Sequence, residues 1–451
     1  ELDHAAQQLL QDPAVDVAAV VVADVDDQPV AVAGGVELAH EVGQVGRPHG
    51  AQVHVADAAL ARLLADRAFI DALRQDKTRL QAGFLALDPR NGQVRAWVGS
   101  RDFQLDPFDH VAQARRQPGS TFKPFVYGAA FDKGMKPTDT LVDREVEIPL
   151  PNDEVWRPTD DGPPSGKPVS LRDGLVYSRN RITAQLMDEI GPARVARLAK
   201  RMGVRQSPLE EVPSLALGTS PVTLKEMVAA YGTLANGGGY IEPVLITRIE
   251  DRSGQVLEEF APVAPEAALD PGVAYTLLDV MRGVVDRGTG VAIRNQFGLR
   301  ADLAGKTGTT QDNTDGWFIL MHPQLVAGAW VGFNDNRITL RSDYWGQGAR
   351  SALPIVGDTF HYALANRVID PRQRFVSREE PGLLQRGWRW VSSLWATPEP
   401  EPAPRPAPRR PRRQAAPTPG PAEPVPAEPK PASPPPGDGT PPETAIIPTQ
   451  Q

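Results

Sequence analysis

Apolar and polar positions along this chain follow helical spacing in some stretches and strand-like runs in others. Over residues 57–76, Leu60, Leu63, Leu64, Phe69, Ile70 and Leu73 recur at helical spacing and predict an amphipathic helix. Two β-rich runs follow, Gly83–Leu87 and Gln93–Val98, and the Asp88–Gly92 turn (DPRNG) between them predicts a β-hairpin. A helix is predicted from Ser120 to Asp132, because Pro118 and Gly119 break the chain before it and Ser120 is a good helix-start residue. Further helices are predicted over Ser170–Val176, Ile182–Ile190 and residues 223–236, the last ended by glycines at 237–239. Gly316–Met321 and Leu325–Gly332 form a second hairpin pattern around His322-Pro323-Gln324. Residues 1–50 predict a short helix and two strands, Val15–Ala23 and Pro29–Ala33, which read as a linker module. Helices thus lie between strands at the two ends of the region. The pattern predicts an α+β fold: an antiparallel sheet with helices packed on it, closed by segments far apart in sequence.

Composition divides the chain. Thr397–Gln451 holds 20 of the 46 prolines, which leaves 26 for the first 396 residues. Such a segment cannot supply regular hydrogen bonds, so a disordered Pro-rich tail is expected at 397–451. Its six acidic and six basic residues cancel, so residues 1–396 carry the whole net charge of −8. That balance argues against a nucleic-acid partner. The absence of cysteine excludes disulfides, thiolate metal sites and a thiol nucleophile. The longest apolar run, Val17–Ala23, has seven residues, far short of the roughly 18–20 that cross a bilayer. The chain starts at Glu1 rather than Met, as a processed or truncated piece would, with any membrane anchor upstream.

Three short motifs carry candidate chemistry. In Ser120-Thr121-Phe122-Lys123, helical spacing puts the amine of Lys123 within reach of the Ser120 hydroxyl. A serine needs a base to become a nucleophile, and a lysine serves as one when burial or neighbouring charge lowers its pKa. In Tyr177-Ser178-Arg179-Asn180, Ser178 suits proton relay to a leaving amine and Asn180 suits a substrate amide; taken alone, the segment is better read as a helix-linking turn. In Lys306-Thr307-Gly308-Thr309, Gly308 admits a close ligand, while Lys306, Thr307 and Thr309 suit a carboxylate. An edge strand with a glycine bulge is the alternative there. The order S-x-x-K, S-x-N, K-T-G, at separations of 58 and 128 residues, is far more specific than any one motif.

With these motifs, the chain resembles the transpeptidase domain of class A (bifunctional) penicillin-binding proteins. The likeness rests on Leu87–Phe103, Arg115–Gly134, Val169–Thr183, Ser214–Gly238, Gly288–Asn295, Ala304–Phe318 and Ala329–Asp335. It implies a five-stranded antiparallel sheet covered by helices, with an all-helical subdomain. It implies Ser120 as the acylated nucleophile, Lys123 as its base, Ser178 and Asn180 as relay and amide-binding residues, and Lys306 as tuning both relay and carboxylate site. Thr307 and Thr309 would bind the terminal carboxylate beside Gly308, and the N–H groups of Ser120 and Thr309 would form the oxyanion hole. No cofactor and no metal are implied, and His110 is expected to be a loop residue. The expected partners are peptidoglycan stem peptides, as D-Ala-D-Ala donor and amine acceptor, and β-lactam antibiotics, with no nucleic acid.

The family also carries an N-terminal membrane helix and a glycosyltransferase domain. Residues 1–79 are too short for the latter, so that activity is not carried over, and membrane contact would come only through an anchor outside this sequence. The expected organisation is a junction segment at 1–79, a transpeptidase domain at 80–371, an extension at 372–396 and the tail, at the outer face of the cytoplasmic membrane. A β-lactamase and a non-catalytic β-lactam sensor or scaffold are the competing readings.

Overall fold

A computed structural model of the chain describes residues 62–375, apart from 151–153, 262, 311–312, 341 and 343. The elements expected in residues 1–50 and the Pro-rich stretch lie outside the described residues. Residues 57–61 of the first expected helix lie outside the described residues, and the rest of it is interrupted. Residues 62–65 are helical, Asp66 interrupts, and α1 follows at Arg67–Lys77. The interruption has a cause: the Asp66 carboxylate accepts the Phe69 backbone N–H at 3.1 Å and so starts a new helix.

Strands β1 (Gln81–Leu87) and β2 (Val94–Val98) form the expected hairpin. Its turn is set by Asp88, which accepts the Arg90 N–H at 3.1 Å, and by Gly92 at φ +74°. The helices α2 (Lys123–Asp132), α3 (Leu171–Val176), α4 (Asn180–Ile190), α5 (Pro192–Met202), α6 (Leu224–Ala235) and α7 (Pro271–Asp286) follow. Their starts are written locally: Ser170 caps α3, and Thr223 with Glu226 makes a capping box on α6. Then come β3 (Ala304–Thr309), β4 (Asp315–His322), β5 (Leu325–Gly332) and helix α8 (Ala352–Ala365).

The sheet is antiparallel throughout, in the order β3-β4-β5-β1-β2. β1 therefore lies beside β5, with Phe84 opposite Ala329, and this pairing joins the two ends of the region. Strand alternation sorts the side chains into two cores. Leu85, Leu87, Trp317, Ile319, Met321 and Trp330 face the larger one, shared with α2 to α7. Phe84, Ala86, Phe318, Leu320, Ala327 and Ala329 face the smaller one, closed by Leu353, Val356 and Phe360 of α8. Each such fully buried Leu, Ile or Phe contributes roughly 2 kcal/mol. β4 and β5 are buried along their whole length because both faces are covered. No helix among the described residues is long and apolar enough to cross a membrane.

Candidate active site

The segment carrying Ser120 differs from its expected form. Gly119–Phe122 is a 3-10 turn, and the α-helix begins only at Lys123. Phe122, not Ser120, occupies the N-cap position, without a side-chain cap. The reason is steric. Gly119 adopts φ +53°, and a Cβ there would lie 2.5 Å from the Thr309 carbonyl oxygen. Gly218, at φ +73°, approaches from behind; a Cβ there would meet the Gly119 oxygen at 2.4 Å. Two glycines thus let three backbone segments meet where no side chain fits. The Tyr231 hydroxyl donates to the Thr121 carbonyl at 2.7 Å and holds the turn from below. Ser120 is half-buried, and its hydroxyl makes no hydrogen bond to a described residue.

Ser178 lies in the turn between α3 and α4, at φ +57°. Residue 180 opens α4, and its backbone N–H donates to Asp160 at 2.5 Å. Both ends of the Asn180 side-chain amide are anchored, each with capacity for one more bond: its nitrogen donates to the Thr159 carbonyl at 2.6 Å, and its oxygen accepts from Lys123 at 2.6 Å. Arg181, buried beside it, pairs with Asp143 at 2.8 Å and Asp160 at 3.5 Å. The hydrogen bond from Arg181 holds the Asp143 carboxyl down at about 2.

Both lysines reach this turn. Lys123 Nζ donates to the Ser178 carbonyl at 2.5 Å and approaches its hydroxyl at 3.2 Å; Lys306 Nζ donates to the same hydroxyl at 2.9 Å. Both amines are fully buried. Burial lowers Lys123 to about 7, against the opposing pull of Asp160 and Asp161. Burial, and then the charge of Lys123, push Lys306 well below its ordinary value. A neutral Lys123 has two N–H donors for its two shortest contacts and one lone pair left for a hydroxyl. No hydrogen bond joins Lys123 to Ser120 in this unliganded geometry, a contact that catalytic pairs commonly tighten only with substrate.

β3 is an edge strand, paired with β4 in continuous register and without a bulge. Lys306 lies opposite Ile319 and Gly308 opposite Trp317, so both belong to the sheet face that carries Ser120. A Cβ on Gly308 would meet the Pro118 carbonyl at 2.7 Å. Thr307 and Thr309 alternate to the other face. The Thr307 hydroxyl meets that of Thr289 at 2.6 Å, and Thr309 Oγ1 accepts the Gly348 N–H at 3.1 Å.

Ser120, Lys123, Ser178, Asn180, Lys306 and Gly308 are therefore brought to one cleft, while the two threonines carry their hydroxyls on the other face of the strand. Sequence reasoning missed three residues beside them. Thr289 stood in a recognised block without a role. Arg116 and Asp315, 199 residues apart, form a partly buried ion pair at 2.7 Å between the nucleophile segment and β4, and Trp330 donates to the same carboxylate oxygen at 2.7 Å. No local signal predicts that pair. His110 lies in a loop, buried, stacked on Trp330 and bonded to the Gly99 carbonyl and Asn334 at 2.8 and 2.7 Å. Among the described residues no cluster of His, Cys, Asp or Glu could hold a metal ion.

Comparison with known proteins agrees with this fold. Residues 82–327 match the model of the penicillin binding protein transpeptidase domain. Penicillin-binding protein 1A of Neisseria gonorrhoeae is 38% identical over 297 residues, 64% of this chain and 36% of that protein. Penicillin-binding protein 2D of Bacillus subtilis is 39% identical over 266 residues, 57% of this chain and 38% of that protein. The chain thus spans little more than a third of the length of these relatives. Among solved structures, penicillin-binding protein 1A from Haemophilus influenzae superposes with TM-score 0.61 and 25% identity, covering 66% of this chain and 49% of that one. The PonA1 protein from Mycobacterium tuberculosis, solved in complex with penicillin V, shares the fold with TM-score 0.56 and 24% identity, over 69% of this chain and 84% of that one.

Proposed function

The chain belongs to the penicillin-binding protein transpeptidase family, and from that premise we propose that it is a serine D-Ala-D-Ala transpeptidase acting on peptidoglycan stem peptides. The observation that carries the reading is the convergence of two buried lysines on the Ser178 hydroxyl, beside an unpartnered Ser120. Ser120 Oγ attacks the carbonyl between the two terminal D-Ala residues, and the neutral amine of Lys123 takes its proton. The N–H groups of Ser120 and Thr309, held close by Gly119, receive the developing oxyanion. Ser178, bridging Lys123 and Lys306, passes a proton to the departing D-Ala amine. Asn180 orients Lys123 and, once substrate enters, the donor peptide amide. The acyl-enzyme then passes to an amine of a second stem peptide, or to water, which gives carboxypeptidation.

Penicillin is taken up by the same route, because its strained amide and carboxylate occupy the positions of the D-Ala-D-Ala carbonyl and terminus. The family match favours this reading over a β-lactamase. The substrate lies outside the cytoplasmic membrane, and we place the domain, residues 80–371, at that face. Intact-mass measurement after exposure to a penicillin tests the proposal. The wild type should gain the mass of one antibiotic and Ser120→Ala none; an unmodified wild type, or an equally modified variant, overturns it.

A further inference from the structure

The turn at residues 159–162 lies against the start of α4 and is tied to it on both sides of Asp161. The Thr159 carbonyl accepts from the Asn180 side chain at 2.6 Å. The Asp160 carboxylate accepts the backbone N–H groups of Asn180 and Arg181, at 2.5 and 3.2 Å. The Gly162 carbonyl accepts from the Arg181 guanidinium at 3.0 Å. The Gly162 N–H closes a three-residue turn on the Asp160 carbonyl at 2.7 Å, with Asp161 in its middle. Asp161 is exposed, and its carboxylate makes no hydrogen bond or ion pair with a described residue. The neighbouring carboxylates are engaged: Asp160 as above, and Asp143 by Arg181 and the Ser165 N–H at 2.8 and 2.9 Å. The Asp161 charge reaches into the cleft, where it pulls on the Lys123 amine. A firmly held backbone thus presents an unneutralised anion beside Asn180.

We propose that Asp161 binds the free side-chain ammonium of the donor stem peptide and makes the enzyme prefer donors that carry one. The proposal rests on the transpeptidase reading and deepens it by naming a feature of the substrate. The reaction joins stem peptides through an amine, so a donor of the same kind carries that amine as well. An alkyl amine titrates near about 10.4 and is a cation at neutral pH. In that reading Asn180 receives the donor's own amide, so the residues preceding D-Ala-D-Ala pass the turn tied to Asn180. The acceptor amine suits this contact poorly. It must lose its proton before it attacks, and a facing carboxylate holds that proton in place. The donor's amine does not react, so a held proton leaves its role unchanged. Arg179, the exposed charge next to Asn180 in the chain, has the wrong sign for this ligand.

Two penicillins serve as probes, because their acyl side chain is joined through an amide that takes the place of the donor amide. One carries a primary amine at the end of that side chain, and the other is the same molecule N-acetylated. Second-order acylation rates are measured on the full chain as wild type, Asp161→Asn and Asp161→Glu, with thermal melting alongside. At pH 8 Lys123 is mostly neutral while the probe's amine is still charged. Wild type should take the charged penicillin about threefold faster, the scale of an exposed ion pair, through tighter binding rather than a faster acylation step. The preference should shrink in concentrated salt, vanish in Asp161→Asn and persist in Asp161→Glu. Equal rates for the two penicillins in wild type, or a preference that survives in Asp161→Asn, overturn the inference and leave the transpeptidase reading standing. A preference lost in Asp161→Glu as well assigns the effect to the shape of the turn and overturns the ammonium contact. A wild type that forms no adduct with either penicillin overturns the transpeptidase reading itself.

Discussion

On one side of the cleft, the Ser120 turn is fixed by backbone against backbone. Gly119 meets the Thr309 carbonyl and Gly218 meets Gly119, with no room for a methyl group at either contact. On the other side, the Ser178–Asn180 turn is fixed by polar side chains: Lys123, Lys306 and Asp160 hold its hydroxyl, its carbonyl and its N–H groups. The first wall places the nucleophile and oxyanion donors by shape, so volume should disturb it and pH should not. The second sets proton positions by charge around two buried amines, so pH and isosteric polar changes should disturb it.

The sharpest break is expected on the polar side. Lys123→Met keeps the bulk and removes the base, and acylation by a penicillin should slow by about 10²–10⁴-fold. A loss under tenfold in rapid-mixing experiments would take Lys123 out of the proton path. On the steric side, Gly119→Ala should slow acylation by about 10²-fold, because a displaced turn misaligns nucleophile and oxyanion donors. Gly134→Ala separates strain from contact. Gly134 also has positive φ, +100°, but a Cβ there meets nothing within 4 Å. It should cost about 1 kcal/mol in stability and leave acylation intact. Equal rate losses in the two alanine variants would erase the distinction between the walls.

The two walls also differ in how far the sequence reveals them. The hairpins and helix starts were legible, because Asp88–Gly92, Ser170 and the Thr223–Glu226 pair act through neighbours in the chain. The motif lysines and serines were legible as a set. The 3-10 turn at Ser120 was not, since its cause is Thr309, contributed by a strand nearly 190 residues later. Arg116 with Asp315, and Thr289 with Thr307, stayed hidden for the same reason: tertiary contact decides them, and a lone Arg or Thr has no periodicity to read. For the threonines of β3 the motif named the residues, but only the register with β4 shows which face they take.

A smaller effect tests the polar wall through its titration. With Lys123 at about 7, the acylation rate should rise about tenfold per pH unit below 7 and level off above it, since the neutral amine is the competent form. A profile flat from pH 5 to 8 would break the link between burial and base.

Asp160 refines that profile. Burial is the main force lowering Lys123, and the Asp160 charge opposes it by favouring the ammonium. Asp160→Asn removes the charge and keeps an oxygen that can still accept the Asn180 N–H. The sign follows: without the anion the ammonium is less stable, Lys123 releases its proton at lower pH, and the rising limb moves toward acid. At pH 6 the variant should therefore acylate faster than wild type, by roughly threefold, while above pH 8 the two should converge. A limb that moves toward alkali would mean that Asp160 acts by ordering the turn. The second wall would then be held by shape, like the first.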